Sequence, residues 1–148
     1  MECVSSICRS FSDGTFHLGP VGAGQAFKLI HNTLLALVAV ANAEALTVAE
    51  KLGLDLSHTL EILSTSSTRS FALDWLFRPA IRGDFSGGAK IDILRKDMKL
   101  ALDQGGSVGA TMEFAKIATR IFDECSAEGL GECDVSVTMD WMRRATST

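Results

Sequence analysis

Lys28 and Asn32 stand four residues apart in the run Gly19-Pro20-Val21-Gly22-Ala23-Gly24-Gln25-Ala26-Phe27-Lys28-Leu29-Ile30-His31-Asn32, where a glycine-punctuated turn passes into an apolar stretch. On a helix, side chains at that spacing lie one above the other, so an ammonium and a carboxamide would face one shared volume. Glycines at 22 and 24 let a bound group come close to the backbone. The free N–H groups of a first helical turn, at the positive end of the helix dipole, suit a carboxylate or phosphate. Phe27, Leu29 and Ile30 supply apolar surface that would disfavour the charged form of Lys28, the condition for a lysine that takes and gives protons near neutral pH. Taken alone, Lys28 reads as readily as a lysine whose stem packs while its head reaches water. The glycines before it and Asn32 after it favour a site.

Two rival motifs fail on spacing. A phosphate-binding P-loop places its lysine directly after the last glycine with Ser or Thr next, whereas three residues separate Gly24 from Lys28 and Leu29 follows. A dinucleotide fingerprint needs Gly-x-Gly-x-x-Gly, and Phe27 stands where the third glycine belongs. His17, His31 and His58 have no metal-ligand spacing with one another or with the cysteines, so no metal site is expected. His31, about a hundred degrees round the helix from Asn32, is expected to pack or contact a neighbour.

The spacing Gly-x-x-Gly-x-Gly-x-x-x-Lys-x-x-x-Asn, read here as Gly19, Gly22, Gly24, Lys28 and Asn32, resembles a motif of the β-hydroxyacid dehydrogenases. That family includes 3-hydroxyisobutyrate dehydrogenase, tartronate semialdehyde reductase, L-threonate dehydrogenase and, more distantly, 6-phosphogluconate dehydrogenase. Further matches follow in order: Gly83-Asp84-Phe85, Lys96-Asp97, and Gly129-Leu130-Gly131-Glu132 with Asp134 and Ser136. Together they span Gly19 to Met142 and are far more specific than any one motif. The resemblance implies an all-α C-terminal domain, a helical bundle around one long central helix. It implies Lys28 as the catalytic lysine that exchanges the substrate hydroxyl proton, with Asn32 holding the substrate. Gly22, Ala23 and Gly24 would contact the carboxylate of a small 3-hydroxy acid. Lys96 would reach the cofactor with Asp97 beside it, although Lys96 and Asp97 read equally well as a solvated helix face. Two departures are visible: Gly87-Gly88-Ala89 replaces the usual Pro-Gly-Phe, and a proline usual near position 110 is missing.

Family enzymes carry an N-terminal Rossmann domain for NAD or NADP, whereas only eighteen residues precede Gly19 here. Residues 1–18 are therefore expected to be a remnant or linker of such a domain, and residues 19–148 the all-α domain. NAD or NADP would bind only with the domain this chain lacks. The expected function is the substrate-binding and dimerisation domain of an NAD(P)-dependent 3-hydroxyacid dehydrogenase. The alternative is a non-catalytic all-helical dimerisation module that kept the fold.

Composition fits this expectation. The 148 residues, 47% hydrophobic and 22% charged, suit one domain with a real core. The net charge of −4 brings no basic stripe, since Lys90, Arg95, Lys96 and Lys99 are interrupted by Asp92 and Asp97; nucleic acid is not an expected partner. Cys3, Cys8, Cys125 and Cys133 form no Cys-x-x-Cys pair, and no charged segment followed by an apolar run opens the chain. Reduced thiols in the cytoplasm are expected. Leu34 to Ala41 is continuously apolar but shorter than the ~18–20 residues a span needs, so a buried helix and no membrane partner are expected.

The positioning elements read as follows. A weak helix covers Met1 to Ser12, and Thr15 to Leu18 alternates as a short strand. One helix runs from about Gly22 to Leu52, stopped by Gly53. Its apolar surface exceeds what one layer covers, so a homodimer is expected. Asp55 or Ser57 caps a helix to about Leu63, and Ser64 to Thr68 is a polar connector. A third helix, about Ser70 to Arg78, ends or kinks at Pro79. After a loop at Gly83 to Gly88, a helix of about Lys90 to Gln104 carries Ile91, Leu94, Met98, Ala101 and Leu102 inward and ends at Gly105-Gly106. Another, about Thr111 to Glu128, turns Phe114, Ile117, Ala118, Ile121, Phe122 and Cys125 inward. A last helix, capped by Asp134 or Ser136, reaches about Arg144 with Met139 and Met142 inward.

Overall fold

The long apolar run becomes the rod on which everything else is packed. A computed structural model describes residues 14–145, and the helix expected over Met1 to Ser12 lies outside them, as does most of the expected remnant segment. Helix α1 (Ala23–Lys51) spans 29 residues and buries Leu29, Ala36, Ala39, Val40, Ala43 and Leu46. Small alanines on this face let neighbouring helices approach closely, which suits a helix covered by several partners. By length and composition α1 could cross a membrane. Here it is the core helix of the bundle, with the helices Ile91–Ser107, Glu113–Ala127 and Thr138–Ala145 laid along it. Its C-terminus closes with Leu54 N–H donating to Ala49 O and Gly53 N–H to Glu50 O, the paired bonds that satisfy terminal carbonyls.

Helix α2 (Leu56–Thr65) starts at Asp55, whose carboxylate accepts from His58 N–H at 2.7 Å. The hydroxyl-rich connector that follows folds on itself: Ser66 Oγ pairs with Thr68 Oγ1, and Ser64 Oγ donates to Asp74. Thr65 and Ser66 donate to carbonyls of the preceding turn, and Ser64 also accepts from Arg78.

The third helix was expected to kink or end at Pro79, and it is distorted just before that residue and stops one residue after it. The chain widens into a π-helical turn (Leu73–Phe77) and continues as α3 (Arg78–Ala80) with Pro79 inside it. Pro79 has no N–H for the carbonyl four residues back, and the wider turn changes the register just before that missing donor. Leu73, Leu76 and Phe77 are buried there, while Phe71 and Trp75 stack at the surface with ring centres 5.7 Å apart.

Helix α4 (Ile91–Ser107) also runs further than expected, passing through Gly105 and Gly106. The stop is Gly109, at φ +73°, with Ala110 N–H donating to Gly105 O and Gly109 N–H to Gly106 O. That conformation costs a residue with a Cβ roughly 1–2 kcal/mol. Gly105 lies against the Met112 side chain, which a Cβ there would have to displace. Helix α5 (Glu113–Ala127) presents Ala115, Ala118, Ile121, Phe122 and Cys125 to the core. Phe114 and Ile117, expected inward, are exposed, because the buried face is centred further round and turns these two to its edge. Burial pushes the Cys125 thiol up to about 12, so it behaves as a small hydrophobe.

A 3₁₀ turn (Val135–Val137) leads into α6 (Thr138–Ala145), with Met139 fully buried. Asp134 caps the turn by accepting from Ser136 N–H and Ser136 Oγ. Burial nevertheless pushes the Asp134 carboxyl up, against those bonds. The late glycine motif stitches the start of α4: Ile91 N–H donates to Cys133 O and Asp92 N–H to Gly131 O, both at 3.0 Å. Asp134 N–H reaches Phe85 O at 2.9 Å, so the Gly83-Asp84-Phe85 and Asp134-Ser136 motifs meet in one joint that fixes where α4 begins.

The architecture is all-α. Among the described residues the only extended pairing is an isolated bridge between Lys90 and Asp134. Thr15 to Leu18 forms no strand, for no second strand is present among those residues to pair with its backbone.

Candidate active site

Lys28 and Asn32 lie one turn apart near the start of α1, and Asp97 lies almost two turns into α4. The packing of α1 against α4 brings them together. Lys28 Nζ donates to Asp97 Oδ2 at 2.9 Å, and Asn32 Nδ2 donates to the same oxygen at 2.6 Å. The ammonium and the carboxamide therefore converge on one carboxylate oxygen. Lys96 Nζ stands 3.7 Å from the other oxygen, Oδ1. His31 Nδ1 lies 3.1 Å from Asn32 Oδ1, closing the chain of contacts on the outer side.

The Asp97 side chain is 1% exposed, while those of Lys28 and Lys96 are 49% and 68% exposed. Burial pulls the Asp97 carboxyl upward, but hydrogen bonds from Lys28 and Asn32 and the charges of Lys28 and Lys96 outweigh it, holding it below the usual carboxylate range. A carboxylate held low contributes stability that is fully present above its unfolded value of about 3.9 and is lost as pH falls through its lower folded value.

Two expectations change with this geometry. Asp97 was expected beside Lys96 at a cofactor; its carboxylate is instead turned onto α1 and occupied by Lys28 and Asn32. The signal was present, since 97 falls three residues after Leu94 and four before Ala101, on the stripe α4 buries. Lys28 is not the desolvated amine its neighbours suggested. Phe27 and Ile30 are themselves exposed, and the ammonium sits half in solvent against a buried counter-charge.

Gly22 caps α1 in a left-handed conformation, φ +99°, a position where only glycine is free of strain. Nothing lies within 4 Å of where a Cβ would stand at Gly22 or Gly24, so the turn is open to an approaching group. The row of free amides is one shorter than expected, because Ala23 N–H is held by Pro20 O at 3.0 Å. No group of three or more His, Cys, Asp or Glu is arranged for an ion among the described residues.

A groove of about 520 Å³ lies elsewhere, between α1 residues Leu29, Ile30 and Leu34 and the end of α4 with Val108 and Met112. Ile30 and Leu34 stand two residues beyond Lys28 and Asn32, about 200° round the helix. The groove is apolar and faces away from the charged cluster. Lys28 and Asn32 thus stand partly exposed over the buried Asp97 carboxylate.

A protein family described as "NAD-binding of NADP-dependent 3-hydroxyisobutyrate dehydrogenase" matches residues 22–142. The chain belongs to the 3-hydroxyisobutyrate dehydrogenase family. It is 38% identical over 139 residues to 2-(hydroxymethyl)glutarate dehydrogenase of Eubacterium barkeri, covering 93% of this chain and 46% of that protein. It is 30% identical to human mitochondrial 3-hydroxyisobutyrate dehydrogenase, over 86% of this chain and 40% of the relative. Among solved structures, Mycobacterium tuberculosis 3-hydroxyisobutyrate dehydrogenase with L-serine superposes with a TM-score of 0.86 at 27% identity, covering 96% of this chain and 51% of that one. The chain spans about half the length of the relatives it matches, and the family's dehydrogenases use NAD or NADP.

Proposed function

We propose that this chain is the substrate-binding and dimerisation domain of an NAD(P)-dependent 3-hydroxyacid dehydrogenase, with Lys28 as the group that exchanges the substrate hydroxyl proton. The observation that carries the reading is the convergence of Lys28 and Asn32 on Asp97 Oδ2. Oxidation of a hydroxy acid removes a hydride from the carbinol carbon and a proton from its oxygen. A bound nicotinamide supplies the hydride acceptor. The exposed Lys96 ammonium, on the same helix as Asp97, suits an anionic part of that cofactor, and the family description of this segment as NAD-binding agrees with such a contact.

The proton is the task of this chain. A neutral Lys28 accepts it and becomes an ammonium, which Asp97 stabilises from below; in the reverse direction that ammonium returns the proton to the alkoxide. Asn32, with one N–H on Asp97, keeps its second N–H for an oxygen of the substrate. The Gly22-Ala23-Gly24 turn receives the carboxylate at the positive end of α1.

A second copy of the chain completes the assembly in this reading. Phe27, Ile30, Leu34, Ala41, Ala45 and Val48 are exposed along one side of α1, spaced three, four and seven residues apart, and a symmetric pairing would bury that stripe. The free thiols of Cys125 and Cys133 agree with a cytoplasmic location.

Titration of the 148-residue chain with a small 3-hydroxy acid tests the half-site. Saturable binding is expected, read as nuclear magnetic resonance shifts at Gly22, Gly24 and Asn32 and weakened in Lys28→Ala. A silent titration, with the chain still a dimer by sedimentation, would favour the idle dimerisation module.

A further inference from the structure

The contact between His31 and Asn32 has a chemical direction that the rest of the cluster determines. Asp97 accepts hydrogen bonds and, when ionised, donates none, so the Asn32 amide must turn its nitrogen toward it, as the 2.6 Å bond requires. The Asn32 oxygen then points away from Asp97 and needs a donor. His31 Nδ1 lies 3.1 Å from it. A carboxamide between a carboxylate on one side and an imidazole on the other has a single favourable orientation, because a flip would set oxygen against carboxylate.

We propose that His31 is a positioning residue: its Nδ1–H holds the Asn32 oxygen, so that the amide presents its second N–H, a donor, to the ligand. The proposal rests on the reading of Asn32 as a ligand-holding residue and adds what that residue requires of the ligand, an acceptor oxygen such as a carboxylate, hydroxyl or carbonyl. It also fixes the tautomer. Neutral His31 carries its proton on Nδ1 and leaves Nε2 bare; charged His31 keeps the Nδ1 proton and adds one at Nε2. The hold on Asn32 therefore persists in both charge states. The charged groups facing it are Lys28, Lys96 and Asp97.

Long-range proton–nitrogen spectra of the 148-residue chain read the tautomer directly. The expected result is His31 protonated at Nδ1, with Asn32 side-chain amide signals that stay fixed from pH 6 to 8 and move in His31→Phe, which keeps a ring but has no donor. His31→Gln, which restores a donor, should return them. With a 3-hydroxy acid as probe, His31→Phe should weaken binding about 5-fold, the effect of losing one neutral hydrogen bond, and His31→Gln should recover most of it. An Nε2-protonated His31, or Asn32 signals indifferent to His31→Phe, would overturn the proposal even where the wild-type chain binds the acid. Held Asn32 signals in a chain that binds no acid would leave the positioning role standing and remove the dehydrogenase reading.

Discussion

Lys28→Ala is expected to lower turnover about 10²–10⁴-fold, the range that a positioned acid or base contributes. The measurement uses a chimera in which this chain replaces the matching segment of the Eubacterium barkeri relative, with reduced nicotinamide followed by absorbance. Part of any loss will come from stability, since Lys28→Ala leaves the buried Asp97 with Asn32 and the more distant Lys96, at a cost of about 1 kcal/mol. Lys28→Arg separates the two causes. A guanidinium keeps the ion pair with Asp97 but does not give up its proton, so the fold should be retained and turnover still lost. Activity retained in Lys28→Arg would take the proton away from Lys28.

The largest effect on folding is expected at Phe122. It is fully buried on α5, and replacing a buried Phe by Ala costs about 3–5 kcal/mol through lost burial and the cavity left behind. Domains of this size have roughly 5–15 kcal/mol in total, so the midpoint of thermal unfolding should drop by about 10–20 °C. Phe114→Ala, on the same helix, is the comparison. Its side chain is 76% exposed, and its loss should change stability by no more than about 0.5 kcal/mol. Equal losses at the two positions would mean that α5 is rotated from the orientation described here.

That pair also marks where the sequence was legible. Periodicity located α5 within two residues but put Phe114 and Ile117 on the buried face, because a stripe of apolar residues does not say where its centre meets the core. The ends of α1 were readable, since Gly22 and Gly53 bracket a stretch with no proline and no glycine beyond Gly24. The end of α4 was not: Gly105-Gly106 looks like a stop, yet Met112 covers the first glycine from outside the helix and the chain turns only at Gly109. Pro79 marked a kink or an end, but the form of the distortion, a widened turn before the missing donor, has no local signal.

For the site, spacing alone put Lys28 and Asn32 on one face. The partner they share is sixty-five and sixty-nine residues away in sequence, and only the packing of α1 on α4 reveals it. His31, a hundred degrees round the helix from Asn32, was expected only to pack or contact a neighbour. Neighbouring long side chains can nevertheless meet at their tips, and this contact is of that kind.

Titration of the Asp97 carboxyl carbon by nuclear magnetic resonance, in the wild-type chain and in Lys28→Met, tests the shared carboxylate most directly. The arrangement predicts a wild-type midpoint below about 3.9, with thermal stability lost as the pH falls through it, and an upward shift when Lys28 is replaced. A midpoint at or above that ordinary value in the wild type, unmoved by Lys28→Met, would contradict it.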